Sequence, residues 1–166
     1  MYKSESSLVR QFVQRLERPD SPWGSLQTSQ EFEFSRGRTD VVALVGGGSH
    51  LIAFEAKLEK WRVALQQAYR NTCFAHSSYV VLPRHVALRA EKHFQDFRYR
   101  NVGICYIDGG VISILVASEK REPLQPWILS AAVAAVRSRN GQNGRTRTRR
   151  SPDMRKARHA IRGTSR

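Results

Sequence analysis

Between residues 4 and 17, apolar side chains recur at Leu8, Phe12, Val13 and Leu16. Steps of three and four predict an amphipathic helix with one buried stripe. Ser4 is suited to cap it, and Glu5 falls in the first turn, where the helix dipole favours a carboxylate. PDSPWGS (Pro19 to Ser25) then breaks the chain with two prolines and a glycine. Beyond it the period drops to two. EFEF (Glu31 to Phe34) alternates as a half-buried strand does, VVALV (Val41 to Val45) follows, and GGGSH turns the chain back into LIAFEAK (Leu51 to Lys57). β-rich runs joined by glycines predict a three-stranded antiparallel meander over 31–57.

The period becomes helical again from Leu58 to Phe74, with Trp61, Leu65, Ala68 and Thr72 on one stripe. SYVVLP (Ser78 to Pro83) is nearly all apolar, as a strand buried on both faces is. A helix over about His85 to Phe97 comes next, with Val86, Leu88, Ala90, His93, Phe94 and Phe97 as its apolar or aromatic members. VGICYID and VISILVAS, either side of Gly109 and Gly110, predict a hairpin, and a helix from about Pro123 to Val136 closes the domain. The order is helix, three strands, helix, strand, helix, hairpin, helix. It predicts an α/β fold with a central mixed sheet flanked by helices. Residues 1–136 form one domain in this reading, and 137–166, rich in Arg and poor in apolar residues, form a basic tail that is disordered when unbound.

Charge sharpens that division. The 166 residues carry 28 Lys and Arg against 14 Asp and Glu, a net charge of +14. Residues 137–166 hold eleven Lys and Arg against a single acid, Asp153, so +10 lies in the tail. Such a segment attracts polyanions. It has no aromatic residue for base stacking, so Arg147, Arg149 and Arg150 are expected to hold phosphates rather than to read bases. The two cysteines, Cys73 and Cys105, are far apart, which argues against a zinc site or disulfide framework and suits a reducing, cytoplasmic setting. No signal peptide is expected from MYKSESSLVRQF, and WILSAAVAAV (Trp127 to Val136) is far short of the ~20 apolar residues that span a bilayer. The chain also lacks H-E-x-x-H, GxxxxGK[ST] and GxSxG motifs, and no helix follows GGGS to make it a phosphate cradle.

The remaining chemistry lies at the end of LIAFEAK. Alternation sends Glu55 and Lys57 to one face, and the hairpin brings Asp40 to the same level at the open end of the meander. Two carboxylates brought together repel and raise each other's pKa unless a cation sits between them. Hard oxygen ligands suit Mg²⁺ or Mn²⁺. Lys57 could orient or deprotonate a water there, or steady charge on a phosphate. The plainer alternative is a set of strand-end charges at a solvated sheet edge.

RTDVVALVGGGSHLIAFEAK resembles the signature of the PD-(D/E)xK nuclease superfamily, and the order of elements over residues 4–83 resembles its restriction-endonuclease-like core. The resemblance implies that Asp40 and Glu55 bind the metal, that the Ala56 carbonyl adds a ligand, and that Lys57 is catalytic. It also implies an acidic residue on the first helix, best matched by Glu5, and a polar residue on the helix after the E-x-K, best matched by Gln67. Thr39 stands where many members have proline, and LQQAYRN departs from the Gln-x-x-x-Tyr spacing of RecB-like members. Arg36 and Arg38 before Asp40, with Lys60, Arg62 and Arg70 on the following helix, would give a basic rim for phosphates.

These observations lead to the expectation of a Mg- or Mn-dependent nuclease acting on nucleic acid, DNA by the resemblance. The alternative is a non-catalytic binding or assembly module that keeps the fold. A homodimer would let both strands be cut, with the apolar face of WILSAAVAAV as its contact.

Overall fold

The computed structural model describes residues 2–35, 37–48 and 50–147, except the side chains of 140 and 142–147. Arg36, Arg149, Arg150 and the Arg147 side chain, expected above to contact nucleic acid, lie outside the described residues.

Helix α1 (Glu5–Leu16) starts where the sequence indicates, because Ser4 and Ser7 form a reciprocal capping box. Strands β1 (Gln27–Phe34), β2 (Gly37–Val45) and β3 (His50–Ala56) form the antiparallel meander. The β2–β3 turn uses Gly47 and Gly48 at φ 77° and 88°, a left-handed region that glycine enters without a steric penalty. Helix α2 (Trp61–Asn71) crosses to β4 (Ser77–Leu82), which runs parallel to β3 and is buried throughout. Helices α3 (Arg84–Glu91) and α4 (Phe94–Arg100) lead to the hairpin of β5 (Val102–Asp108) and β6 (Val111–Val116). Helix α5 (Pro126–Arg147) follows. The six strands lie in chain order in one sheet, with β3, β4 and β5 mutually parallel.

Alternation along the strands separates two cores. Val41, Ala43, Ile52, Phe54 and Val81 meet Leu8, Phe12 and Leu16 of α1 on one face. Val42, Leu44, Leu51, Ala53, Val80 and Leu82 meet α2, α3, α4 and α5 on the other. Trp23, from the proline-rich break, closes the α1 face by packing edge-on against Phe54 and Tyr79 at 5.3 and 5.1 Å.

Five elements differ from the sequence expectation. The first strand begins at Gln27 rather than Glu31, and β2 starts before Asp40 rather than after it. Helix α2 spans 61–71 rather than 58–74, since Leu58 to Lys60 make the turn from β3 and Thr72 caps the end through its bond to Tyr69 O. The single helix expected over 85–97 is two. His93 leaves helical dihedrals (φ −109°, ψ 31°) as its ring stacks on Trp61 at 5.0 Å, which turns Phe97 inward and leaves Phe94 40% exposed. Finally, the last helix does not end near Val136 but continues to Arg147, into the stretch expected to be unstructured. Its apolar face, with Ile128, Ala132 and Val136, is buried against Phe32, Val42 and Leu44 of the same chain, so it is not a free dimer contact.

Candidate active site

The register of β2 against β3 pairs Val41 with Phe54. One further step places Asp40 opposite Glu55. Asp40 shares the parity of Val42 and Leu44, and Glu55 that of Ala53, so both carboxylates face the layer of α2 and α5. Sequence and structure agree on this convergence.

Glu55 is almost fully buried, at 1% exposure. Asn71, in the last turn of α2, donates to Glu55 Oε1 at 2.7 Å, and Thr39 Oγ1 donates to Asn71 Oδ1 at 2.9 Å. Asp40 Oδ2 accepts from the Ala56 amide at 2.8 Å. Burial pushes the Glu55 carboxyl up to about 8; the Asn71 hydrogen bond opposes this, the Asp40 carboxylate adds to it and the Lys57 charge opposes it. Near neutral pH, without a metal ion, Glu55 keeps its proton.

Lys57 lies just past the end of β3, its amide donating to Val81 O at 3.2 Å. Its ammonium reaches across the strand end to Glu5 Oε2 at 3.1 Å, which joins the first turn of α1 to the site. Glu5, Asp40, Glu55, Ala56 and Lys57 therefore meet at one end of the sheet, and Lys57 bridges its two faces.

The other expected residues are spread around this centre. Gln67 lies one turn before Asn71 on α2, half-buried, with its amide oxygen buried and unpartnered among the described residues. Yet the hydrogen bond to the carboxylate comes from Asn71. Arg70 reaches the start of β2, where its guanidinium lies about 4.0 Å from the position a Gly37 Cβ would take. Arg38 is exposed and pairs with Glu31 at 3.7 Å. Lys60 is exposed at the N-terminus of α2. Arg62 is drawn elsewhere, lying 4.1 Å over the ring of Trp61, which also stacks on Phe97 of α4.

Asn71 and Thr39 were missed by the sequence reading. The signal for Asn71 was its place three residues after Ala68, a polar residue on the buried stripe. Thr39 carried only its adjacency to Asp40.

No group of three or more His, Cys, Asp or Glu among the described residues could hold a metal. A cation here would rest on two carboxylates and a backbone carbonyl. The donor set fits a hard divalent ion, and a buried carboxyl pushed towards neutrality beside a second carboxylate is what such a pair becomes without one.

No family model matches the sequence, and no curated protein matches it. Among solved structures, a protein of unknown function from Silicibacter pomeroyi superposes over 90% of this chain and 94% of its own, with a TM-score of 0.59 and 13% identity. That likeness is one of fold. A repair endonuclease from Pyrococcus abyssi overlaps 65% of this chain and 49% of its own, at a TM-score of 0.44 and 13% identity, too loose a fit to argue from. Among the described residues no helix is long and apolar enough to cross a membrane.

Proposed function

We propose that this chain is a divalent-metal-dependent nuclease with a restriction-endonuclease-like core, hydrolysing phosphodiester bonds in DNA. The observation that carries the reading is the buried Glu55 carboxyl beside Asp40, at a strand end that also presents Lys57. Asp40, Glu55 and the Ala56 carbonyl would hold Mg²⁺ or Mn²⁺, and that ion, when bound, supplies Lewis-acid activation of the scissile phosphate and the attacking water. The chain's own groups do the rest. Asn71, itself held by Thr39, fixes the Glu55 carboxyl beside Asp40. Lys57 Nζ, steadied by Glu5, assists the attacking water and offsets charge gathering on the phosphate. Arg70 and Arg38 flank the start of β2, where they can hold the strand.

One observation favours a second reading, a nucleic-acid-binding module without catalysis. The Asp40 and Glu55 oxygens that accept from Ala56 N and Asn71 Nδ2 are already satisfied by the protein. Incubation of supercoiled and linear DNA with Mg²⁺, Mn²⁺ or EDTA separates the two. The nuclease reading expects cutting that needs metal and disappears in Asp40→Ala and Lys57→Ala. Binding without cutting, on duplex, branched and single-stranded substrates alike, would establish the module instead.

A further inference from the structure

The outer side of α2 continues away from the carboxylates into a second feature. Tyr69 is 52% exposed and Tyr99, at the end of α4, is 88% exposed. Both line one depression of about 330 Å³, whose rim also carries Arg100, Arg121 and the 86% exposed Leu124. Scattered exposed apolar residues need no explanation, but two tyrosines and a leucine around one hollow make a patch. Tyr69 also borders a shallower depression of about 480 Å³ with Gln67 and Arg70, whose guanidinium reaches the start of β2. Aromatic rings and arginines thus form a strip that begins at Arg70, near the start of β2, and runs past the end of α2 to α4.

We infer that this strip binds an unpaired segment of nucleic acid, with Tyr69 and Tyr99 as stacking platforms and Arg70, Arg100 and Arg121 against the phosphates. Ring faces turned to solvent can stack only on bases that are not stacked on one another, which a duplex does not offer. The hollow is in the volume range of small-ligand pockets, room for a base rather than for a double helix. Two of the arginines are braced by neighbouring groups, since Arg100 donates to Asp96 O at 3.0 Å and Arg121 pairs with Glu119 at 3.3 Å. Glu122, the acid on the same rim, is turned towards His76 at 3.8 Å. The inference deepens the nuclease reading and rests on it for what the strand is delivered to. It predicts substrates with a single-stranded arm beside the cut.

The test is fluorescence anisotropy of a short oligothymidylate and of a blunt hairpin duplex in EDTA, with full-length protein. A salt concentration of about 0.2 M suppresses the purely electrostatic share contributed by the basic tail. Tyr69→Ala and Tyr99→Ala should each weaken binding of the single strand about fivefold or more, with little effect on the duplex. Tyr69→Phe and Tyr99→Phe, which keep the ring, should bind as the wild type does. Unchanged single-strand binding in both alanine variants overturns the inference, as does an equal loss on single strand and duplex. Asp40→Ala, measured alongside, should keep tyrosine-dependent binding. If the wild type never cuts DNA yet binding still depends on the tyrosines, the strip stands and the nuclease reading falls.

Discussion

Glu55 is a carboxyl placed where water cannot reach it and a second carboxylate can, and its proton is consequently held too tightly. The unfolded chain releases that proton near the ordinary value of 4.5, the folded chain only near 8. Between those values the folded state binds more protons, so in metal-free buffer stability should fall as pH rises from about 4.5 to about 8, then level off. The loss attributable to Glu55 is on the order of 4 kcal/mol. Thermal melts in EDTA across that window should show the slope in the wild type and its absence in Glu55→Gln. A flat wild-type profile would mean that the carboxyl ionises freely. Adding Mn²⁺ at pH 8 should raise Tm in the wild type, because an ion that binds only the folded state stabilises it, and should leave Asp40→Ala unmoved. Asn71→Ala leaves Thr39 and Glu55 short of a partner and should cost about 1–3 kcal/mol. The same change should move the levelling-off point to higher pH, since the Asn71 hydrogen bond favours the ionised form. A purely structural asparagine would lower Tm without moving that point. Asp40, Glu55 and Lys57 were legible because strand alternation and hairpin length are geometric. Asn71 was not, because the stripe from Trp61 passes between Asn71 and Thr72, and the period alone does not choose.

At the scale of elements, the strands were more legible than the helices, and the sheet shows why. A strand buried on one face alternates and one buried on both is a nearly continuous apolar run, so VVALV, LIAFEAK and SYVVLP each announced their place. Helix boundaries depend on contacts the sequence does not display, such as the His93 stack on Trp61 that divides α3 from α4. Close packing between strands is equally hidden. Gly103 in β5 pairs with Tyr79 in β4, and a Cβ there would lie 2.2 Å from the Tyr79 ring and 2.8 Å from Val116 O. Tyr79 cannot yield without loosening its contact with Trp23 and the hydrogen bond it accepts from Ser118 N. Gly103→Ala should therefore cost about 1–3 kcal/mol through overpacking, read as a lower denaturation midpoint with an unchanged m-value. Gly109→Ala, where no atom lies within 4 Å but φ is 55°, tests backbone strain alone and should cost less.

Across the whole molecule, charge and chemistry are divided between parts. The sheet and its helices hold Asp40, Glu55 and Lys57 in a fixed array, while seven of the 28 Lys and Arg lie beyond residue 147. If that segment is a tether for nucleic acid, its contribution is counterion release. The logarithm of the binding constant should then fall with the logarithm of salt by about 0.9 per phosphate neutralised on duplex DNA. A variant ending at Arg147 should lose up to about six from the magnitude of that slope. Its melting temperature should stay close to that of the full chain, because every core residue among the described ones is retained. Affinity should drop most at low salt and converge with the full chain as salt rises, since only the screened part has been removed. Binding measured from about 0.05 to 0.3 M NaCl on one duplex decides it. An unchanged slope would place the phosphate contacts on the folded domain, on Arg38 and Arg70 beside the carboxylates, and the basic segment would then have no part in holding DNA.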